Sequence, residues 1–183
     1  MSKANKSNKA IKYRLYPNDE QKVMFAKTFG CCRFVYNQLL ALQKQRYKDG
    51  ESHLSKLKSN EFATRTLKKD YDFLKEIDKF AVSNAVFHLA DAYDRFFKKQ
   101  NHFPKFKSKR KSKKSYTTNF TNNNILIGKN VIKLPKVGMV KAVIHKLPKD
   151  DWKLKSVTVF QDSVGNYFAS VLFEYEQEDI PSV

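Results

Sequence analysis

Ile11, Tyr13 and Leu15 alternate with Lys12, Arg14 and Tyr16, the period of two that marks a strand buried on one face. Pro17 ends this segment, and β-type texture does not return before Ser115. A lone strand leaves its backbone N–H and C=O groups unpaired, so it has to find partners in the distal part of the chain. The intervening residues must leave the sheet and come back to it. That requirement selects an α+β architecture in which sheet and helices are interleaved in sequence.

The intervening segment reads as helical. Asn18 is placed as an N-cap, Asp19 and Glu20 occupy the first turn where the helix dipole favours anions, and Gln21 stands at the capping-box position. These signals predict a helix from Asp19 to about Phe29, a break at Gly30, and a second helix in which Cys32, Val35, Tyr36, Leu39 and Leu42 share a face. Asp49-Gly50 closes the second helix. Two helices about one glycine resemble a helix-turn-helix only superficially, because such turns are far commoner than DNA-reading ones. Residues 51–60 read as polar linker, with Ser59 or Asn60 capping a short helix through Leu67. Asp70 to Asp78 reads as a turn region. The longest apolar stripe, from Val82 through Leu89 to Phe97, predicts a helix from about Lys79 to Lys99.

From Ser115 onward the runs YTTNFT, ILIG, VIKLP, MVKAVI, SVTVF and YFASVLFEY are short, β-branched or aromatic, and separated by turn residues such as Asn122, Gly128, Gly138 and Gly165-Asn166. The last two form a hairpin around residues 162–166. Together with the Ile11 strand they predict a small barrel or a strongly bent sheet, split in sequence by an inserted helical bundle.

Charge narrows the function. Net charge is +18, and residues 1–149 hold 34 Lys/Arg against 11 Asp/Glu while residues 150–183 hold 2 against 7. Such an excess is relieved by a polyanion that releases its counterions, which points to nucleic acid. No apolar run approaches the roughly 20 residues of a membrane span, and no signal peptide or lipidation motif is present. Residues 98–114 carry nine Lys/Arg and no acid, with Phe103 and Phe106 among them and Pro104 keeping the backbone out of helix. That composition suits a phosphate-tracking loop bearing a stacking or anchoring ring. Residues 1–9 read as a mobile basic arm.

Catalytic patterns are missing. His53, His88, His102 and His145 are isolated from one another, and Asp91 and Asp94 sit beside Arg95, Lys98 and Lys99, which suits ion pairing better than metal binding. Glu174, Glu176, Glu178 and Asp179 read as a solvated acidic end. The adjacent Cys31 and Cys32 suit neither an ordinary disulfide nor a metal clip and read as small helix residues, a usage that fits a reducing cytoplasm.

The segments KYRLYPNDEQ, GCCRFVYNQLL, LKEIDKFAVSNAV, AYDRFFKK, FPKFKSKRKSKKSY, NFTNNNILIG, IKLPKVGMVK and KSVTVFQDSVGNYFASVLFE, in this order from Lys9 to Glu174, resemble TnpB proteins. These are the OrfB transposases of insertion sequences, relatives of type V CRISPR effectors. The resemblance implies a wedge β-barrel in two parts, residues 1–17 and 101–183, with residues 18–100 as a helical recognition lobe. It implies guide RNA and double-stranded DNA as partners, no membrane, a cytoplasmic, nucleoid-associated location in a bacterium or archaeon, and the nuclease domain as a further partner. The RuvC-like nuclease, with its Mg-binding carboxylates and its four-cysteine Zn insertion, is expected outside this chain, so no cofactor is expected here.

Carried over residue by residue, the resemblance implies contacts to the DNA motif flanking the target at Lys79, Phe80, Ser83, Asn84, Thr121 and Asn122. Ser83 stands where the family pattern has glutamine. Arg14, Lys105, Lys107, Lys109, Arg110 and Lys111 suit an RNA phosphate track, and Tyr116 or Phe103 suits stacking on a base. The expected activity is that of the recognition half of an RNA-guided DNA endonuclease. The competing reading is a stand-alone DNA- or RNA-binding regulator derived from a transposase.

Overall fold

The first strand, β1 (Lys6–Tyr16), lies inside the sheet rather than at its rim: its residues Lys6 to Leu15 pair antiparallel with Glu176 to Tyr167, and Arg14 to Tyr16 pair with Val143 to Lys141. This arrangement is seen in a computed structural model that describes residues 5–177. The chain follows with helix α1 (Asp19–Lys48), α2 (Lys56–Glu61), a π-helical stretch Phe62–Leu67, the one-turn α3 (Lys68–Asp70), a 3-10 turn Asp72–Lys75 and helix α4 (Lys79–Phe97). Strands β2 (Lys114–Asn119), β3 (Leu126–Ile127), β4 (Val131–Leu134), β5 (Gly138–Val143), β6 (Lys153–Gln161) and β7 (Tyr167–Glu176) complete it. Seven strands form one antiparallel sheet in the order β2-β6-β7-β1-β5-β4-β3.

Several expectations need correction. Residues 19–48 form one helix with no break at Gly30. A helical glycine costs about 1 kcal/mol relative to alanine, and here Phe25, Phe29, Cys32, Val35 and Tyr36, all buried on either side of it, supply far more through packing. The capping box at Asn18 and Gln21 is present. The second helical segment starts earlier than expected, at Lys56, because Ser55 caps it by accepting from the Lys58 amide. Lys6 to Lys9 belong to β1 and not to a mobile arm, since β7 extends far enough to pair with them and the Lys6 ammonium lies 3.4 Å from Glu174. Glu174 is correspondingly half-buried, not freely solvated. Residues 1–4 of the expected arm, and Glu178 and Asp179, lie outside the described residues.

Among the described residues the sheet is not closed into a barrel: β2 and β3 are its two edges. The physical reason is that β3 is only two residues long and that helices occupy the flank of β2. The Asn84 amide of α4 donates to the Thr117 carbonyl at 2.9 Å, taking over part of the work of a closing strand.

One continuous core joins the sheet to the helices. Ile11, Tyr13, Leu15, Val157, Val159, Ala169 and Val171 face it from the sheet, as strand alternation requires. From α1, Phe25 is fully buried with its ring centroid 6.2 Å from Tyr116 and 5.6 Å from Tyr167, so one helix residue touches two strands. Cys32 points into the α1–α4 contact, its Sγ 3.4 Å from the Ala81 carbonyl, and burial pushes its thiol pKa up to about 12. The β6–β7 hairpin is held by the Asp162 carboxylate, which accepts from the amides of Val164 and Asn166. These bonds hold the Asp162 pKa below the usual carboxylate range, that to Asn166 being the strongest.

A Cβ at Gly30 would meet nothing nearer than the Arg33 guanidinium at 3.9 Å. Gly30→Ala is therefore expected to stabilise the chain by about 1 kcal/mol in urea denaturation, whereas a turn at this position would make the same change destabilising. Phe25→Ala is expected to cost about 3–5 kcal/mol in the same measurement, as for other large core truncations.

Candidate nucleic-acid interface

The amino end of α4 and the end of β2 meet at one corner of the molecule. Asp78 is buried, 6% exposed, and caps α4 by accepting from the Phe80 amide at 3.3 Å. Its other carboxylate oxygen accepts from the buried Thr118 hydroxyl on β2. One carboxylate thus fixes the first turn of α4 against the strand. One turn further on, the Asn84 amide donates to the Thr117 carbonyl and, at 2.6 Å, to the Asn119 side chain. Beyond β2, Asn124 closes the following turn: its side chain donates to the Asn119 carbonyl at 2.9 Å and accepts from the Thr121 amide at 2.8 Å.

This network brings together the six residues expected to contact the flanking DNA. Lys79 and Asn122 are exposed, while Phe80, Ser83, Asn84 and Thr121 are half-buried. The Lys79 ammonium lies 5.2 Å from the Phe80 ring centroid. Asn122 and Asn123 hold left-handed φ values of 46° and 55°, a conformation that asparagine tolerates better than most residues. Asn84 has both amide donations committed to the protein. Sequence reasoning missed Asp78, Thr118, Asn119 and Asn124, whose role lies in holding the others. Asp78 was detectable as a capping residue ahead of Lys79; the rest depend on pairing between distant segments. It also missed Lys68. Burial lowers the Lys68 pKa; the Asp78 carboxylate opposes that shift, and the positive charges of Lys79 and Lys136 add to it. Three cations therefore share this corner.

The basic loop has an inner and an outer part. Asn37 on α1 clamps the Lys107 backbone at both its N–H and its C=O, each at 2.8 Å. The Lys107 ammonium lies 4.2 Å from the Tyr36 ring centroid, and burial lowers its pKa. Lys109, Arg110 and Lys111 project outward from a turn in which the Ser108 hydroxyl accepts from the Lys111 amide and the Ser112 hydroxyl from the Ser108 amide. Lys105 is exposed as well. Phe103 packs edge-on against Tyr93 and Phe96, with ring centroids 5.5 and 5.1 Å away, so it anchors the loop.

Tyr116 does not fit the stacking role expected of it. It is 3% exposed, its ring lies against Phe25 and Phe29, and burial raises the pKa of its hydroxyl. A base has no access to a ring packed in this way. Arg14 lies elsewhere, on the sheet, where it donates to Asn166 at 2.7 Å. Among the described residues no group of three or more His, Cys, Asp or Glu is placed to hold a metal ion. Nor is any described helix long and apolar enough to cross a membrane.

Residues 5–52 match a family profile described as a helix-turn-helix domain, HTH_OrfB_IS605. In this structure those residues form β1, the single helix α1 and the turn after it, so the match carries the family and not a helix-turn-helix geometry. The chain is 30% identical over 168 residues to a protein of Streptomyces pristinaespiralis named as a candidate RNA-guided DNA endonuclease. It is 29% identical over 174 residues to InsQ of Escherichia coli K12, which is named likewise. Each alignment covers 91% of this chain, but the chain spans only 41% and 40% of those relatives. It is also 32% identical over 111 residues to the virulence protein VsdF of Salmonella dublin, covering 55% of this chain and 93% of VsdF. The profile and the first two relatives show that the chain belongs to the TnpB/OrfB-type family of insertion-sequence proteins.

Proposed function

We propose that this chain is the recognition part of a TnpB-like RNA-guided DNA endonuclease, which binds a guide RNA and reads a short duplex motif flanking the target. The observation that carries this reading is the convergence of Lys79, Ser83 and Asn84 with Thr121 and Asn122 through the Asp78–Thr118 and Asn84–Asn119 bonds. Asparagine and threonine side chains can read base edges, and lysine can hold a phosphate or a guanine. The hydrogen-bonded scaffold behind them supplies the preorganisation that such readout needs.

In this reading the open sheet serves as the wedge in two parts, residues 1–17 and 101–183, around a helical recognition lobe of residues 18–100. The exposed cations of the basic loop hold RNA phosphates. Cleavage is the work of a nuclease domain distinct from residues 1–183, and the complex works on DNA in the cytoplasm at the nucleoid. The test is to sequence RNA that co-purifies with the chain and then to measure binding of motif-bearing duplexes with and without that RNA. A single enriched structured RNA is expected. Motif-dependent duplex binding that ignores RNA would point instead to a stand-alone regulator.

Lys79→Ala with Asn122→Ala is expected to reduce discrimination between motif-bearing and scrambled duplexes by about 1–3 kcal/mol for each base no longer read, as measured by competition binding. Unchanged preference would remove these two residues from the motif-reading set. Neutralising Lys109, Arg110 and Lys111 is expected to lower the slope of log affinity against log salt by about 0.9 for each phosphate no longer neutralised on duplex and about 0.7 on single strands, with motif preference intact.

A further inference from the structure

On the sheet face opposite the core, aromatic and cationic side chains form a ladder that crosses strands β1, β7 and β6. Phe160 and Phe168, paired across β6 and β7, are stacked with centroids 5.2 Å apart and planes 21° apart. The Arg14 guanidinium, opposite Phe168 on β1, lies 5.3 Å from that ring and 5.0 Å from Tyr16, which is 50% exposed. Lys12 lies 5.1 Å from Phe168, and Lys113, just before β2, lies 4.9 Å from Phe160. The hydrophobic core needs none of these rings, since alternation directs Val159 and Ala169, not Phe160 and Phe168, inward. Half-exposed aromatics on a sheet cost burial energy unless something covers them.

The surroundings specify the cover. Three cations flank the rings and the described ladder includes no acid, so the occupant is anionic and carries flat rings. Next to the rings the same face continues in hydroxyls: Thr158 and Ser170 are opposite one another, and Thr117 and Thr158 share a 2.9 Å hydrogen bond. Hydroxyls can both donate to and accept from a ribose 2′-OH. Arg14 spends one terminal guanidinium nitrogen on Asn166 and is half-buried, not enclosed by the protein.

We propose that this face is a stacking platform for unpaired bases of a single-stranded RNA segment, with Phe160, Phe168 and Tyr16 as the stacking rings and Lys12, Arg14 and Lys113 on the phosphates. The proposal rests on the reading that the chain binds RNA and assigns a part of the surface distinct from the α4 corner.

The test uses the full chain and a short fluorescein-labelled oligoribonucleotide without self-complementarity, alongside the same sequence as single-stranded DNA and as duplex DNA. Phe160→Leu with Phe168→Leu keeps apolar volume and removes the π faces. The double variant is expected to raise the RNA Kd about tenfold or more, in keeping with aromatic stacking, while leaving the salt slope and duplex affinity unchanged. A 4-thiouridine version of the oligomer on the unaltered chain is expected to photocrosslink to peptides containing Tyr16, Phe160 or Phe168, a readout that does not depend on the variant folding. Wild-type RNA affinity in the folded double variant, equal affinity for the DNA single strand, or crosslinks confined to other peptides would each overturn the platform. An unaltered chain that binds RNA well while crosslinking elsewhere leaves the RNA-binding reading standing; one that binds no nucleic acid at all overturns both.

Discussion

The architecture depends on β1 being an interior strand. It is the first strand in sequence, yet β7, the last, lies on one side of it and β5 on the other. Arg14 and Leu15 are paired on both sides and Lys6 to Tyr13 with β7 alone, so one strand shares its hydrogen bonds with two distant segments. Since β1 is committed this way, everything between Pro17 and Lys114 has to leave from one end of the sheet and return at its β2 edge. Helices α1 and α4 do so as a packed pair. Phe25 then locks the pair to the sheet through Tyr116 and Tyr167.

That return route creates the α4 corner. A helix that arrives beside an edge strand presents its first turn to the strand's unpaired carbonyls, and Asp78 and Asn84 use that proximity in two ways. They satisfy orphan backbone groups, and they hold residues 79–84 and 117–124 in one rigid arrangement. Polar side chains committed to the scaffold leave their neighbours free to meet a ligand. The same economy appears in the basic loop, where Asn37 and Phe103 fasten the inner residues so that Lys109, Arg110 and Lys111 project into solvent.

Charge and aromatic content do not spread evenly over this scaffold. The α4 corner is polar with three cations, the loop is cationic, and the outer sheet face combines rings with cations. In the proposed reading these chemically distinct surfaces serve distinct partners, a duplex that is read by its edges and a single strand that offers its bases.

Local pattern in the sequence determined much of this. The alternation of Ile11, Tyr13 and Leu15, the Asn18 capping box, the apolar stripe of α4 and the hairpin around residues 162–166 are each legible because period and turn chemistry act over a few residues. Net charge pointed to nucleic acid, and the ordered blocks pointed to the family. Tertiary structure decided what local signals cannot. Gly30 stays helical because packing on either side outweighs its propensity, Tyr116 is buried because α1 lands on it, and the sheet stays open because helix side chains serve the β2 edge. The ladder from Tyr16 to Phe160 is invisible in sequence, since its members come from β1, β6 and β7 and become neighbours only when strand register sets them side by side.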